Sequence, residues 1–276
     1  MNPRPRIPLL PGRPRPLLFA HRGCSSLAPE NTMASFRKAR EAGAPGLELD
    51  VHVCASGELV VAHDDTFKRT APPDDNGGGR TIEELTLAEI RRIDVGSFFG
   101  SAFSGEHPPL LEEALEEFCP GMYVDIELKS RKTRNDILPG LAAETLRRLG
   151  DRTRGTVTLS SFNPFCLGTF KRLCFQFPAA VIWSADSEVP LMLRYGLGRF
   201  LMPCDYVKPV YTQLSPRRYS RMAERERLPV IPWTIDDPAA ARRMLTLGCQ
   251  GIITNRPQDM GDLLSGTLIA KDGATG

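Results

Sequence analysis

Eight short apolar runs alternate with helix-like stretches along most of this chain. Such alternation is typical of a parallel sheet, because parallel strands need long crossover connections. Eight repeats predict an α/β fold of the (β/α)8 TIM-barrel type, with functional residues at the carboxyl ends of the strands. An open doubly wound sheet is the main alternative, but no GxGxxG follows the first strand, which counts against its dinucleotide-binding form. The predicted strands are Leu17–Ala20, Gly46–Val53, Met122–Leu128, Thr156–Ser160, Ala179–Trp183, Met202–Tyr206, Pro229–Thr234 and Gly251–Thr254.

The helices predicted between these strands have recognisable start and stop residues. Asn31 or Thr32 is a candidate cap for the first helix, and Asp237 is one for the last. Gly43 and Gly248 follow their helices directly, where a left-handed backbone ends a helix easily. The predicted helices are Thr32–Ala42, Leu110–Phe118, Ile137–Leu149, Pro164–Leu173, Val189–Tyr195, Pro216–Arg225 and Pro238–Leu247.

The barrel is predicted as one domain, residues 17–266, with one long interruption. Residues 64–109 contain a loop rich in Gly, Asp and Pro, one predicted helix at Ile82–Ile93 and a second loop. This stretch is too long for an ordinary strand-to-helix connection. It is therefore predicted to be an insertion after the second strand, reached through a hairpin run at Leu59–Ala62. Residues 1–16 are predicted to be a disordered Pro/Arg-rich leader, and residues 267–276 a flexible tail.

Composition excludes several classes of partner and location. The formal net charge is only +2, and no run of Lys and Arg exceeds two residues, which argues against a nucleic-acid partner. The seven cysteines form no CxxC pair, so we expect reduced, buried thiols and a cytoplasmic location. The start of the chain lacks an apolar signal-peptide core. No segment approaches the roughly 18 apolar residues of a transmembrane helix.

The first two strands carry polar residues that suit phosphate chemistry. The first runs into His21-Arg22-Gly23, where the imidazole can exchange protons near neutral pH and the guanidinium matches a phosphate. In the second, alternation places Glu48, Asp50 and His52 on one face, opposite an apolar face. Buried carboxylates are costly unless they are paired or bind a metal, so these two could converge on one cation. An exposed edge strand of alternating polarity is the other explanation.

Charged residues alternate again along the third predicted barrel strand, where Asp125, Glu127 and Lys129 share a face. Glu127 could complete a three-carboxylate site with Glu48 and Asp50. Oxygen ligands of this kind suit Mg²⁺ or Ca²⁺, whereas no His/Cys spacing typical of zinc occurs. Lys129 could then hold a phosphate oxygen. The alternative is a purely structural ion pair between Lys129 and Glu127.

His63 and Trp233 complete the set of candidate residues. The hairpin run would deliver His63 to the same mouth as His21, where two histidines could divide the proton transfers. Trp233 lies on the seventh predicted strand and could pack on the apolar edge of a substrate. A tryptophan buried in the core is the alternative explanation.

Many of these residues fall in short motifs whose order resembles one known family. The motifs are His21-Arg22-Gly23, Pro29-Glu30-Asn31-Thr32, Glu48-Leu49-Asp50-Val51, His63-Asp64, Arg69-Thr70, Leu85-Thr86-Leu87-Ala88-Glu89-Ile90, Pro109-Leu110-Leu111-Glu112-Glu113, Glu127-Leu128-Lys129, Ser161-Phe162, Trp233-Thr234 and Gly251-Ile252-Ile253-Thr254-Asn255-Arg256-Pro257. Over residues 17–264 they are similar to the signature of glycerophosphodiester phosphodiesterases. The loop at residues 52–57 departs from the family pattern, which usually has Thr and an acidic residue before Gly57. That loop forms a turn, so little effect on chemistry is expected.

The resemblance implies a (β/α)8 barrel with an insertion after its second strand. It also implies a metal-dependent enzyme that hydrolyses a small-molecule glycerophosphodiester to glycerol 3-phosphate and an alcohol. A glycerol hydroxyl is expected to attack first, giving a cyclic phosphate that water then opens. The implied positions are Glu48, Asp50 and Glu127 for one divalent cation, Mg²⁺ or Ca²⁺; His21 and His63 for acid/base catalysis; and Arg22 and Lys129 for the phosphate.

Two other functions fit parts of the same pattern. Related barrels act as lysophospholipase D-like or sphingomyelinase D-like enzymes with the same catalytic groups, and Phe98, Phe99 and Phe103 could give the apolar surface that lipid chains need. A binding protein on an inactive barrel is the second alternative, since a fold does not fix a function. Every position that the chemistry needs is occupied, which favours an enzyme. The head-group alcohol, the choice between Mg²⁺ and Ca²⁺ and the oligomeric state stay open at this point.

Overall fold

The structure is a computed structural model of the 276-residue chain, and it describes residues 8–72, 79–187 and 189–264. In these ranges the strands are β1 (Leu17–His21), β2 (Gly46–Val53), β3 (Leu59–Val61), β4 (Tyr123–Leu128), β5 (Val157–Ser161), β6 (Ala179–Trp183), β7 (Tyr206–Pro209) and β8 (Gly251–Thr254). The α-helices there are α1 (Met33–Glu41), α2 (Leu87–Ile90), α3 (Leu111–Phe118), α4 (Leu138–Leu149), α5 (Pro164–Leu173), α6 (Gly198–Leu201), α7 (Pro216–Ser220), α8 (Pro238–Thr246) and α9 (Gly261–Leu264).

The strands form a curled parallel sheet that closes on itself. Its order is β7-β6-β5-β4-β2-β1-β8, and β3 pairs antiparallel with β2 as the predicted hairpin. Residues 229–235 fill the gap between β7 and β8. Ile231 donates its N–H to the carbonyl of Val207 (3.0 Å), and Ile253 donates to the carbonyl of Pro232 (3.1 Å). The predicted TIM-barrel fold is therefore confirmed.

Two of the predicted barrel strands needed correction. The sixth lies at Tyr206–Pro209 instead of Met202–Tyr206, because residues before Met202 form the short helix α6. The seventh, at Pro229–Thr234, pairs through isolated bridges only. Pro209 and Pro232 have no N–H to donate, so neither neighbouring ladder can be continuous.

Three predicted helices are shorter or broken. The helix predicted at Ile82–Ile93 is a 3₁₀ turn at Ile82–Glu84 followed by α2, because Leu85 between them is extended. The helix predicted at Val189–Tyr195 is only a 3₁₀ turn at Leu191–Leu193. The one predicted at Pro216–Arg225 begins as α7 and ends in a π-helical turn. The predicted caps Thr32 and Asp237 do accept backbone hydrogen bonds at the starts of α1 and α8.

Apolar side chains fill both sides of the sheet. Leu47, Leu49 and Val51 point outward from β2 into the layer between sheet and helices, as the alternation predicted. Inside the barrel, Phe19 packs edge-on against Tyr123, with ring centroids 4.9 Å apart. This interior core fills the end of the barrel opposite to the polar residues of β1, β2 and β4.

The predicted disorder of the leader does not hold for residues 8–16. Leu9 and Leu10 are 4% and 1% exposed and belong to the interior core with Leu17 and Phe19. Two adjacent leucines in a Pro-rich stretch gain more free energy from burial than they lose in chain entropy. Residues 1–7 and the predicted tail, residues 267–276, lie outside the described residues.

The insertion after β3 has a small hydrophobic core of its own, which includes Phe67, Ile82, Leu85 and Ile90. Most of the loop predicted at residues 71–79 lies outside the described residues. In the part of the chain that the structure covers, no helix has the length and apolar character needed to cross a membrane. All seven cysteines are buried.

Candidate active site

Polar residues meet at the carboxyl ends of three adjacent strands. His21 ends β1 and lies beside Glu48 of β2 in the strand register. Asp50 of β2 lies in turn beside Glu127 of β4. Parallel strands that end at the same rim bring these side chains together. The sequence prediction that they share one inward face is therefore confirmed in geometry.

Glu48, Asp50 and Glu127 form a buried acidic cluster. One carboxylate oxygen from each lies within 4.8 Å of the others, and all three residues are buried. Asp50 Oδ1 is buried without a hydrogen-bond partner, and Lys129 Nζ lies 3.6 Å from it, beyond hydrogen-bond distance. An unsatisfied buried carboxylate oxygen is costly, and a cation is the ligand that would satisfy it. Three carboxylates without His or Cys are the donor set of Mg²⁺ or Ca²⁺, so these residues fit such an ion.

Two cationic side chains border this cluster. Arg22 Nε lies 3.3 Å from Asp50 Oδ2, and Lys129 Nζ lies 3.0 Å from Glu127 Oε1. Burial alone would raise the pKa of Asp50, but the charges of Lys129 and Arg22 outweigh it and hold that pKa well below its usual range. Burial, reinforced by the charge of Asp50, raises the pKa of Glu48 well above its usual value. The three carboxylates are therefore close enough to oppose one another's ionisation, and a bound cation would relieve this repulsion.

Hydrogen bonds fix His21 in one orientation. Its Nδ1 lies 2.7 Å from Asn255 Oδ1, and the amide nitrogen of Asn255 donates to Asp236. Asn255 Oδ1 can therefore only accept, so the proton lies on Nδ1 of His21. The other ring nitrogen, Nε2, is then unprotonated and lies 3.9 Å from Glu48 Oε2. Burial, together with the charge of Arg22, lowers the pKa of His21 to about 3. The ring is therefore neutral near pH 7, with Nε2 unprotonated.

His63 is held by an equivalent contact at the same rim of the barrel. Its Nδ1 lies 2.6 Å from Asp64 Oδ1, and Asp64 is bound in turn by Arg69. Arg69 also binds Glu30, which accepts a hydrogen bond from Arg22 at 3.0 Å. The chain of contacts joins His63 to Arg22.

The other two aromatic candidates lie beside the site. His52 donates from Nε2 to the carbonyl of His63 (3.1 Å). Trp233 is half-buried, stacks edge-on with Phe162 (5.6 Å) and donates its indole N–H to the carbonyl of Lys208. Trp233 therefore lies at the boundary between the core and the mouth.

Sequence reasoning missed Lys208, which lies beneath the acidic cluster. Its Nζ is 2.6 Å from Asp125 Oδ2, 3.0 Å from Ser160 Oγ and 3.9 Å from Glu48 Oε1. Because the sixth strand was predicted to end at Tyr206, Lys208 fell outside it. The sequence did contain a sign of this pair. Asp125 on an inward face required a buried cationic partner, and Lys208 is a lysine within an apolar run.

Most of the chain, including the site, matches a known protein family. The family model described as "Glycerophosphoryl diester phosphodiesterase family" matches residues 21–259. The chain belongs to this family. The match begins at His21 and covers every candidate side chain described above.

Several proteins named as phosphodiesterases of this kind are similar to this chain over most of their length. A glycerophosphodiester phosphodiesterase of Caldanaerobacter subterraneus subsp. tengcongensis is 32% identical, over 90% of this chain and 97% of its own. One from Bacillus subtilis is 30% identical, over 88% and 84%. The structure of an Oleispira antarctica phosphodiesterase in complex with the product sn-glycerol-3-phosphate superposes with a TM-score of 0.78, at 28% identity, over 91% and 97%. The chain is accordingly a glycerophosphodiester phosphodiesterase, and the prediction of an enzyme is confirmed.

Proposed function

We propose that this site hydrolyses glycerophosphodiesters to glycerol 3-phosphate and an alcohol by metal-dependent, two-histidine acid/base catalysis. The observation that carries the proposal is a buried three-carboxylate cluster with an unsatisfied oxygen, flanked by two histidines whose Nδ1 atoms are both held. The complex of the Oleispira antarctica relative with glycerol 3-phosphate supports this product. The proposed roles are metal ligand for Glu48, Asp50 and Glu127, acid/base for His21 and His63, phosphate binding for Arg22 and Lys129, and substrate contact for Trp233.

One divalent cation, Mg²⁺ or Ca²⁺, would supply a Lewis acid that polarises a phosphoryl oxygen. Arg22 and Lys129 bind the remaining phosphoryl oxygens and stabilise the charge that develops on them. Both already face the cluster, with ion pairs to Asp50 and Glu127. Burial favours loss of the proton from Lys129, but the charges of Glu127 and Asp50 raise its pKa, so it stays cationic.

His21 and His63 divide the proton transfers. One accepts the proton of a substrate glycerol hydroxyl as this oxygen attacks phosphorus, and the other protonates the departing alkoxide. A cyclic phosphate results, and the two roles reverse when water opens it. Asn255 and Asp64 hold the rings so that each presents Nε2 to the reaction.

A lipid phosphodiesterase is the second candidate, and one observation favours it. Phe98 and Phe99 are 42% and 39% exposed in the insertion, and Phe99 stacks on Phe103 (5.5 Å). Exposed aromatic rings near the mouth suit an acyl chain. A small glycerophosphodiester needs no such surface. A cytoplasmic location and the absence of a nucleic-acid partner stay predictions from the sequence.

The test is turnover of glycerophosphocholine by the purified protein, with glycerol 3-phosphate as the measured product. EDTA should abolish turnover, and Mg²⁺ or Ca²⁺ should restore it. His21→Ala should lower kcat roughly 100- to 10,000-fold. His107→Ala is the matched control, because His107 is exposed and contacts only the carbonyl of Ile93 among the bonds described.

Turnover that survives complete removal of metal would contradict the proposed role of the acidic cluster. Failure on glycerophosphocholine with every metal, together with release of choline from lysophosphatidylcholine, would instead favour the lipid phosphodiesterase. Equal activity of His21→Ala and His107→Ala would exclude His21 from the chemistry.

A further inference from the structure

A dense apolar surface lies outside the active site, on the connection between β6 and β7. Thirteen large apolar side chains are exposed in the described part of the chain, and six of them fall within the eleven residues 191–201. Each of the six is at least half exposed. We call this surface the 191–201 patch, and its members are Leu191, Met192, Tyr195, Leu197, Phe200 and Leu201. Contiguous exposed apolar area of this kind marks an interaction site in a soluble domain.

The backbone holds the patch in place. Gly196 has a positive φ of 76° and lies against the Trp183 ring, where a Cβ would come within 2.8 Å of the indole. Arg194 donates to the carbonyls of Val189 (2.8 Å) and Ser187 (2.9 Å) from the start of the same segment. The apolar side chains are therefore presented outward by a connection that is itself tied to the barrel.

Arginines alternate with these apolar side chains. The guanidinium of Arg199 lies 4.1 Å from the Phe200 ring centroid, and that of Arg221 lies 5.9 Å from it. Arg218 lies 5.9 Å from the Tyr195 ring. Residues 191–227 contain seven arginines in all, against Glu224, Glu226 and one buried aspartate, which pairs with Lys171. Glu226 pairs with Arg199 (2.8 Å) and Arg221 (3.3 Å), so the net positive charge around the patch comes from the other arginines, including the exposed Arg217 and Arg218 of α7.

Charge decides between the possible occupants. A second copy of this chain, docked symmetrically, would bring the same arginines against one another, and like charges oppose such a contact. A nucleic acid would use the arginines and aromatic rings but would leave Leu191, Met192 and Leu197 in water. An anionic bilayer offers phosphates for the arginines and an apolar interior for the aliphatic side chains.

We propose that the 191–201 patch and the arginines of α7 dock this enzyme on an anionic phospholipid surface. Leu191 and Met192, the most exposed apolar residues of the patch, enter the boundary between head groups and acyl chains. Arg217 and Arg218 contact lipid phosphates. Gly196 of the patch lies against Trp183, the last residue of β6, so this part of the patch is on the side of the mouth. The inference does not depend on the catalytic mechanism.

The test is co-sedimentation of the whole protein with vesicles of phosphatidylcholine alone or mixed with phosphatidylglycerol. The protein should bind the anionic vesicles only, and binding should weaken as salt rises because exposed charges are screened. Arg217→Gln/Arg218→Gln should weaken partitioning roughly twenty-five-fold, because each arginine near an anionic surface contributes about a five-fold factor. Leu191→Ser/Met192→Ser should weaken it roughly ten-fold or more.

Leu27→Ser and Arg92→Gln are the matched controls. Leu27 is 48% exposed after β1, which lies opposite β6 in the strand order, and Arg92 is exposed in the insertion. Both controls should bind anionic vesicles as the wild type does. All variants change exposed side chains, so unchanged thermal unfolding checks their folding.

Two results would overturn the proposal. One is an absence of binding to anionic vesicles at low salt. The other is binding that both patch variants retain in full. A dimer in solution that Leu191→Ser/Met192→Ser converts to a monomer, without vesicle binding by the wild type, would assign the patch to contacts between copies.

Discussion

The orientation of His21 depends on one amide. Asn255 accepts from His21 Nδ1 at 2.7 Å and is itself fixed by two contacts to Asp236. Asn255→Ala removes the acceptor that selects the tautomer with a basic Nε2. We expect kcat/KM on glycerophosphocholine to fall roughly 10- to 100-fold, as is usual when such an orienting partner is lost.

Ser25→Ala is the control for this variant. Ser25 Oγ donates to Asn255 Oδ1 and to the carbonyl of His21, but it does not contact the imidazole ring. Its removal should leave kcat/KM within a few-fold of the wild type. An unchanged rate for Asn255→Ala would show that the ring is oriented by other contacts.

The buried lysine Lys208 is expected to contribute to the stability of the folded protein. It is 2% exposed, and burial would lower its pKa, but the charges of Asp125 and Glu48 raise it. Lys208→Met leaves Asp125 buried without its cation, which should cost about 3–5 kcal/mol of unfolding free energy. Urea denaturation of the metal-free protein measures this directly.

The companion variants separate charge from packing. Lys208→Met/Asp125→Asn should recover much of the loss, since Tyr206 and Thr158 still contact position 125. Lys132→Met removes an exposed lysine paired with Glu83 and should cost less than about 1 kcal/mol. A Lys208→Met variant as stable as Lys132→Met would mean that the buried pair contributes little.

Among the elements, those with clear local signals were predicted well. β2 has the predicted bounds Gly46–Val53, and α5 has the predicted bounds Pro164–Leu173, where Asn163 caps the helix and Pro164 opens it. The acidic cluster was predictable for the same reason, because alternation along β2 and β4 is a local property. β7 was misplaced because apolar residues continue through α6, and only pairing with β6 fixes the strand at Tyr206.

The contacts that sequence reasoning could not give are the ones that cross the barrel. Lys208 reaches Asp125 across two intervening strands, and Asn255 reaches His21 from the opposite end of the chain. Such pairs depend on strand register and on closure of the sheet. Asn255 falls within one of the motifs, but its contact with His21 could be seen only in the structure.

Packing of β2 against β4 gives a prediction at the element scale. A Cβ at Gly46 would come within 2.0 Å of the Tyr123 ring, which fills the interior of the barrel. Gly46→Ala should destabilise the protein by roughly 1–3 kcal/mol, as overpacking usually does. Gly121→Ala is the control, because a Cβ there meets nothing within 4 Å. Equal unfolding midpoints of the two variants would contradict a tight approach at Gly46.

For the whole molecule, the ordered part of the leader determines how the barrel is closed at its far end. Leu10 is 1% exposed in the interior core, so Leu10→Ala should cost about 2–5 kcal/mol of unfolding free energy. The catalytic rim lies at the other end, and kcat at a temperature where the variant is folded should be unchanged. Leu27→Ala, on the surface, should change the unfolding free energy by less than about 0.5 kcal/mol.

These two measurements together distinguish support from catalysis. A Leu10→Ala variant as stable as the wild type would show that residues 8–16 do not contribute to the stability of the barrel. Lower kcat in a fully folded variant would instead show that the two ends of the barrel are coupled.

The segment at residues 229–235 determines where the barrel opens locally. Pro209 and Pro232 each remove one N–H from the ladders that join this segment to β7 and β8, whereas β2 and β4 pair over six consecutive residues. Local opening proceeds where backbone bonds are few. The amides of Ile231 and Trp233 should therefore exchange with deuterium before that of Leu49. Residues 229–235 are therefore the part of the barrel wall that separates most easily from its neighbours. Because Trp233 lies in this segment, its local opening would also widen the mouth beside the substrate.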